Sequence, residues 1–301
     1  MFATTATLVA PRSAACRPKE NIRDFSQIYE NLGRIEVDLH YFKKEKSTKM
    51  LSKATLKLIS SLDQKKFRKE SGLFVAEGVK CVNDLIECGM KAERVLATEE
   101  WLAGHAVKGE MDVTVVSDDE LKRASFLRTP QGVLALFRQP KYDIDNEAPK
   151  KRLCLALDDV QDPGNLGTIV RIADWFGIEE IYCSHGCADI YNPKTVQATM
   201  GAIGRIRIFY TDLPTLLESI KGETPIYGTF LDGENMYGKQ LENRGIIVMG
   251  NEGKGIGNEC AQHISERLLI PNYPEGRSTS ESLNVSTATA IICSEFRRRT
   301  M

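Results

Sequence analysis

The chain has 301 residues, more than one average domain needs, and its 42% apolar and 27% charged residues are those of a folded globular protein rather than a disordered one. Lysine and arginine total 40 against 41 acidic residues, which excludes a general attraction to nucleic acid or anionic membrane, so any polyanion must meet a local patch. No run approaches the roughly 20 apolar residues that span a bilayer, and the eight cysteines, scattered without a repeating framework or secretory signal, read as reduced thiols of a cytoplasmic protein.

Residues 1–49 read as a poorly structured N-terminal extension. Met1 to Pro18 is Thr/Ala-rich and acid-free, and Lys43 to Lys49 is basic without apolar periodicity. The opening has some character of an organellar transit peptide; an over-extended start is the blander explanation, because Met50 would begin a chain whose Leu51, Ala54, Leu58 and Leu62 already show helical spacing.

Residues 50–138 read as a small α/β domain. Leu73 to Ala76, Arg94 to Ala97, Val113 to Val116 and Gly132 to Phe137 are short strands with helices between them. Ser117-Asp-Asp-Glu120 has capping-box spacing, and Gly89 is placed to end the helix that holds Val82, Leu85 and Ile86. Lys65, Lys66, Arg68 and Lys69 crowd one helix end near Phe67 and are candidate RNA phosphate contacts, with a solvated charged face as the alternative. Residues 139–152 are polar, hold Pro140 and Pro149, and read as a linker.

The second domain, 153–301, alternates strands and helices. Leu153 to Leu157, Ile246 to Met249 and Arg267 to Ile270 are short apolar runs suited to a parallel sheet covered on both faces, and Glu180 to Cys183, Arg207 to Tyr210 and Ile226 to Phe230 add further strands. This predicts a doubly wound α/β sheet with its ligands beyond the carboxyl ends of the strands. Cys183-Ser-His185-Gly-Cys187 gathers three soft ligands, but no second Cys/His pair follows at zinc spacing, so no metal is expected.

Three loops stand out. Asp158 to Arg171 passes Pro163 and Gly164 into a helix, with Asn165 as the expected N-cap; a helix start and an arginine together suit a phosphate beside a reacting sugar, and a capped helix with a surface arginine is the alternative. Gly250-Asn-Glu-Gly-Lys-Gly-Ile-Gly257 lets a ligand approach the main chain closely. It is neither a P-loop, which needs glycine where Val248 stands and a hydroxyl where Gly255 stands, nor a dinucleotide fingerprint, which needs glycine where Asn258 stands. Ile270 to Ser286 enters the last helix with Ser282 as its expected cap, and Arg297, Arg298 and Arg299 suit that helix's C-terminus electrostatically.

Asn165-x-Gly-x-x-x-Arg171, Gly250-Asn-Glu252-Gly and Ile270-Pro to Ser282-Leu-Asn-Val-Ser286 have the order and spacing of the SpoU/TrmH family of SPOUT methyltransferases. The preceding domain, with Phe74-Val-Ala-Glu-Gly78 and Thr129-Pro-Gln-Gly132, resembles the ribosomal-protein-like RNA-binding domain that many members carry. The resemblance implies an α/β trefoil-knot domain, an exception to the usual absence of threading, and S-adenosyl-L-methionine lined by Thr229, Gly250, Ile270 and Leu283. It also implies a catalytic set of Asn165, Arg171, Glu252, Ser282 and Asn284, a homodimer completing each site, and methylation of a ribose 2′-hydroxyl in RNA, ribosomal before transfer RNA. Arg171 is the family's proposed base; a guanidinium normally stays protonated, so its expected work is to position phosphate and hydroxyl, with Ser282 and Asn284 orienting it. The insert Asn272 to Glu281 is longer than in relatives. The competing expectation is a noncatalytic RNA-binding or ribosome-assembly factor on the same fold.

Overall fold

The first domain is built on strands β1 (Leu73–Glu77), β2 (Ala92–Ala97), β3 (Val113–Val115) and β4 (Val133–Arg138), seen in a computed structural model that describes residues 51–104, 111–274, 277–278 and 282–299. The expected extension 1–49 lies outside the described residues. All of them belong to one unit, Lys49–Met301.

The four strands form a sheet in the order β1-β4-β2-β3, with β1 and β2 antiparallel to β4 and β3 parallel to β2. Period-two alternation divides its side chains. Val75, Leu96, Leu134 and Leu136 pack under α1 (Lys53–Ser61) and α5 (Asp118–Ala124). Phe74, Ala76, Ala135 and Phe137 face α3 (Val79–Glu87) and share one core with second-domain residues such as Val196 and Ala202. In α1 the buried stripe is Thr55, Ile59 and Leu62, while Ala54 is exposed, one position off the expected spacing. Two anchors set that phase: Ser52 caps the helix at Thr55, and the Leu51 amide donates to Glu120 at 2.9 Å. The Ser117 capping box forms as expected.

The second sheet is wholly parallel, in the order β10-β8-β9-β5-β6-β7. Its strands are β5 (Leu153–Leu157), β6 (Glu180–Cys183), β7 (Arg207–Tyr210), β8 (Ile226–Asn235), β9 (Gly245–Met249) and β10 (Glu266–Leu269). Leu155, Leu157, Ile247 and Met249 pack with α7 (Pro163–Trp175), α8 (Pro193–Thr199) and α11 (Val285–Arg298); Cys154, Ala156, Ile246 and Val248 pack with α9 (Leu213–Ile220) and α10 (Asn258–Ala261). Burial on both faces explains the unbroken apolar runs. In α7, Leu166, Ile169, Val170 and Ala173 are fully buried, and each large member contributes about 1.5–3 kcal/mol by leaving water. A Cβ on Gly167 would lie 2.5 Å from both Ala198 Cβ and the Thr195 carbonyl, so only glycine lets α7 and α8 approach this closely.

The neighbours of β5 are β6 on one side and β9 on the other, so the strand order reverses there and leaves a crevice beyond its carboxyl end. β10 is an edge strand, and α11, the next helix, docks on α7, the placement of the last helix in the knotted fold. Part of the stretch read as linker is packed. It forms a short helix, α6 (Ala148–Lys151), with Ala148 and Pro149 buried, and the Asp145 carbonyl lies 3.2 Å from the Tyr182 hydroxyl. Among the described residues no helix is long and apolar enough to cross a membrane.

Candidate active site

The three loops singled out in the sequence meet at the crevice beyond β5. Asp162, not Asn165, caps α7: its carboxylate accepts from the Asn165 amide at 2.8 Å, and this bond, reinforced by Lys194, holds its pKa below the ordinary carboxylate value. Pro163 at the first helical position is the signal that points to this assignment. Because Asp162 takes the cap, the Asn165 side chain is released for other bonds.

Its Nδ2 donates to Glu252 Oε1 at 2.6 Å, and its Oδ1 accepts from Asn284 Nδ2 at 3.0 Å. One amide thereby joins the second and third loops. Asn284 is also the cap of α11, accepting from the Ser286 amide at 3.0 Å and the Ser286 hydroxyl at 2.6 Å. This replaces Ser282 as the expected cap; Ser282 is exposed, two residues earlier.

The glycine-rich loop is pinned to the first. Asn251 Nδ2 donates to the Asp159 carbonyl at 2.9 Å, the Gly257 amide donates to Asp158 at 2.8 Å, and Asn251 and Gly255 pair through their main chains. A Cβ on Gly250 would stand 2.2 Å from the Gly255 carbonyl carbon, so the loop closes only around glycine.

Gly250 and Ile270 directly follow strands β9 and β10, and Thr229 lies within β8, the strand between them, next to Gly228, the last residue before its pairing to both neighbours is interrupted. Pairing between β10 and β8 breaks here: Arg267 faces Gly228, whereas Leu268 faces Glu234, so residues 229–233 leave the ladder. The departing segment is held by Arg267, whose guanidinium lies 3.5 Å from the Phe230 ring centroid and 2.6 Å from Asp232. The sequence does not announce this clasp; its only signal is that the apolar run of β8 stops at Leu231. Main-chain groups freed where β8 leaves the ladder and where β9 and β10 end, with apolar Ile270 following β10, fit an adenosyl group bound largely through the backbone; Leu283, just before α11, is 47% exposed.

Arg171 lies farther along α7 and is exposed, and among the described residues it has no hydrogen bond or ion pair. Trp175, one turn on, is 84% exposed. Within one chain, then, Asn165, Glu252 and Asn284 are bonded together, while Arg171 and Ser282 are not bonded to them.

Of the basic cluster, now on α2 (Lys65–Ser71), Lys65, Lys66 and Lys69 are exposed. Arg68 corrects the expectation. It is buried, pairs with Asp189 at 2.6 Å, and donates to the Leu62 and Asp63 carbonyls at 2.8 and 2.6 Å, so its donors are engaged and cannot serve phosphate. Cys183 and Cys187 are buried, and among the described residues no group of three or more His, Cys, Asp or Glu is placed to hold a metal ion.

Comparison with known proteins agrees with this geometry. The family model for the SpoU rRNA methylase family matches residues 152–294, and that for an MRM3-like substrate binding domain matches residues 53–135. The chain is 30% identical over 239 residues to the 23S rRNA (guanosine(2553)-2′-O)-methyltransferase RlmP of Bacillus subtilis, covering 78% of this chain and 93% of the relative. A putative RNA methyltransferase of the TrmH family from Porphyromonas gingivalis superimposes with a TM-score of 0.73 at 37% identity, covering 83% of this chain and 99% of that one. An AdoMet-bound rRNA methyltransferase from Sinorhizobium meliloti does so with a TM-score of 0.72 at 29% identity, covering 83% and 97%. A relative matched over nearly its whole length, together with the three motifs joined at one crevice, settles the assignment: the chain belongs to the SpoU rRNA methylase family and is an S-adenosylmethionine-dependent RNA ribose methyltransferase.

Proposed function

We propose that this protein methylates a ribose 2′-hydroxyl of ribosomal RNA, with Arg171, Asn165, Glu252, Ser282 and Asn284 as the working set and Thr229, Gly250, Ile270 and Leu283 around the cofactor. The observation that carries the reading is the Glu252–Asn165–Asn284 chain of hydrogen bonds, which ties three distant loops beside the freed strand ends. S-adenosylmethionine supplies a sulfonium-borne methyl group, displaced in line by the ribose oxygen. The protein's share is alignment and help with the proton.

Asn165 keeps Glu252 and Asn284 in register, so the cofactor-side loops and the helix that presents Arg171 move as one body. Arg171 offers a fork of donors to a backbone phosphate and to the 2′-oxygen as negative charge builds there. A guanidinium is a poor proton acceptor, so its main role is to hold the hydroxyl and stabilise the developing oxyanion.

The reading includes a homodimer and a cytoplasmic location. The exposed Arg171 and Trp175 share one stripe of α7, the pattern of an aromatic anchor beside a charge directed at a second copy. Ribosomal rather than transfer RNA is favoured by two of the three relatives above, which are named as rRNA enzymes. The test is transfer of tritium from labelled S-adenosylmethionine to unmodified total RNA, with 2′-O-methyl sites mapped by reverse transcription at low nucleotide concentration. Label confined to ribosomal RNA is expected; label on transfer RNA alone, or on none, would reject the substrate assignment.

A further inference from the structure

A cavity of about 480 Å³ lies between the two domains, within the size range of small-molecule sites. It runs from Glu77 and the loop after α5 to Gly164, the neighbour of Asn165, so its inner end abuts the catalytic loop. Val75, Leu127 and Val196 give it apolar walls.

Its charge disfavours phosphate. The lining holds the carboxylates of Asp63 and Glu77 against one cation, Lys194, whose ammonium already lies 3.5 Å from Asp162. What remains suits a base: an aromatic ring at Phe126, amides at Asn192 and Gln197, and a carboxylate that only accepts hydrogen bonds. Phe126 is half-buried, packing partly on the first-domain core. Glu77 is buried at the end of β1, where it accepts from the Phe126 amide at 2.9 Å and from the Ser125 hydroxyl. These two bonds fix the loop that carries Phe126. Each carboxylate oxygen retains a second lone pair for a ligand.

We infer that the cavity receives one unpaired base of the substrate RNA, adjacent to the methylated ribose, stacked on Phe126 and selected through its exocyclic amine by Glu77. The inference rests on the RNA-methylase reading above and adds a specificity site to it. The amino groups of adenine, cytosine and guanine are donors to such an acceptor, whereas uracil offers no amino group. The flanking sugar-phosphate stays outside, where the exposed lysines of α2 face solvent.

The test uses full-length protein and fluorescein-labelled single-stranded decamers of adenylate, cytidylate and uridylate, with binding read by anisotropy. Wild type is expected to bind the adenylate and cytidylate decamers more tightly than the uridylate decamer. Phe126→Ala weakens binding of the adenylate decamer about tenfold, the effect of losing one stacked base, and Phe126→Tyr restores it. Glu77→Gln narrows the preference for amino bases. Cofactor affinity, measured by calorimetry, is unchanged in all three variants. Should Phe126→Ala lose cofactor binding through misfolding, Gln197→Ala, from the other domain's side of the cavity, replaces it and must show the same loss.

Equal affinity of wild type for the three decamers, no measurable binding of any, or full affinity in Phe126→Ala overturns the base site. Methyl transfer by wild type to total RNA is scored separately. If it proceeds while the variants bind as wild type, the cavity is refuted and the enzyme assignment stands; if wild type transfers nothing, the underlying reading fails instead.

Discussion

Both ends of the six-stranded sheet carry arginines and carboxylates, in opposite arrangements. At the amino ends Glu180 is 1% exposed and lies 2.7 Å from Arg152 and 2.8 Å from Arg207, with the Tyr182 hydroxyl donating to it at 3.0 Å. At the carboxyl ends the Asn165, Glu252 and Asn284 side chains stay in reach of solvent, and Arg171, about two turns further along α7, has no acidic partner among the described residues. The first cluster pairs its charges internally and fastens the segment before β5 to the sheet. The second leaves polar side chains open to solvent where the strand order reverses, the place where ligands bind in such sheets.

Exchanging charge for its absence at each end should separate the two roles. Arg171→Ala is expected to lower single-turnover methyl transfer about 10³-fold, the effect of removing a donor aimed at developing oxyanion charge. Cofactor affinity and melting temperature should not move. Undiminished transfer would reduce Arg171 to a surface charge and erase the contrast. Glu180→Ala should do the reverse: two arginines lose a buried carboxylate, stability falls by about 3 kcal/mol in urea titration, and transfer per folded molecule is unchanged. Catalytic loss at full stability in that variant would mean that the amino end takes part in the site.

The contrast also accounts for what the sequence disclosed. Strand β5 was legible to the residue because burial on both faces makes it an unbroken apolar run, and β6 and β7 because a charged residue opens each short apolar run. The meeting of the three loops was legible only through the family resemblance, since no local periodicity relates Asn165 to residues 87 and 119 positions away. Caps were misassigned where two polar residues within three positions compete: Asp162 outranks Asn165 because Pro163 follows it, and Asn284 outranks Ser282 because its side chain reaches both Ser286 and Thr287. The register break in β8 and the clasp of Arg267 on Phe230 depend on a tertiary neighbour that the sequence does not mark. Arg68 failed for the same reason, its partner Asp189 being 121 residues distant in another domain.

The same rule divides the basic cluster of α2. Arg68→Ala removes a buried cation and leaves Asp189, which is 15% exposed, so water softens the loss to about 2 kcal/mol rather than the larger cost of a sealed pair. The dependence of RNA affinity on salt should stay as in wild type. Lys66→Ala with Lys69→Ala should leave the melting temperature in place and flatten the slope of log affinity against log salt by about 2. An unaltered slope would remove α2 from the RNA surface.

The smallest effect belongs to the last helix, whose arginines suit its C-terminus electrostatically. Arg298 and Arg299 each bond Glu295 at 2.8 Å, and Arg299 also donates to the Met236 and Tyr237 carbonyls at 3.0 Å, so the cluster closes the helix end onto the chain after β8. The Arg298 hydrogen bond, followed by that of Arg299, holds the Glu295 carboxyl down to about 2. A pKa depressed on folding stabilises the protein above the unfolded value, about 4.3 for glutamate, and that stability is lost as pH falls through the folded value. Arg298 is 67% exposed, which reduces the gain to about 1 kcal/mol, or about 3 °C. Glu295→Gln should therefore melt about 3 °C below wild type at pH 7, and the gap should shrink steadily as pH drops from about 5 towards 2. A gap independent of pH would mean that packing, not charge, holds the helix end.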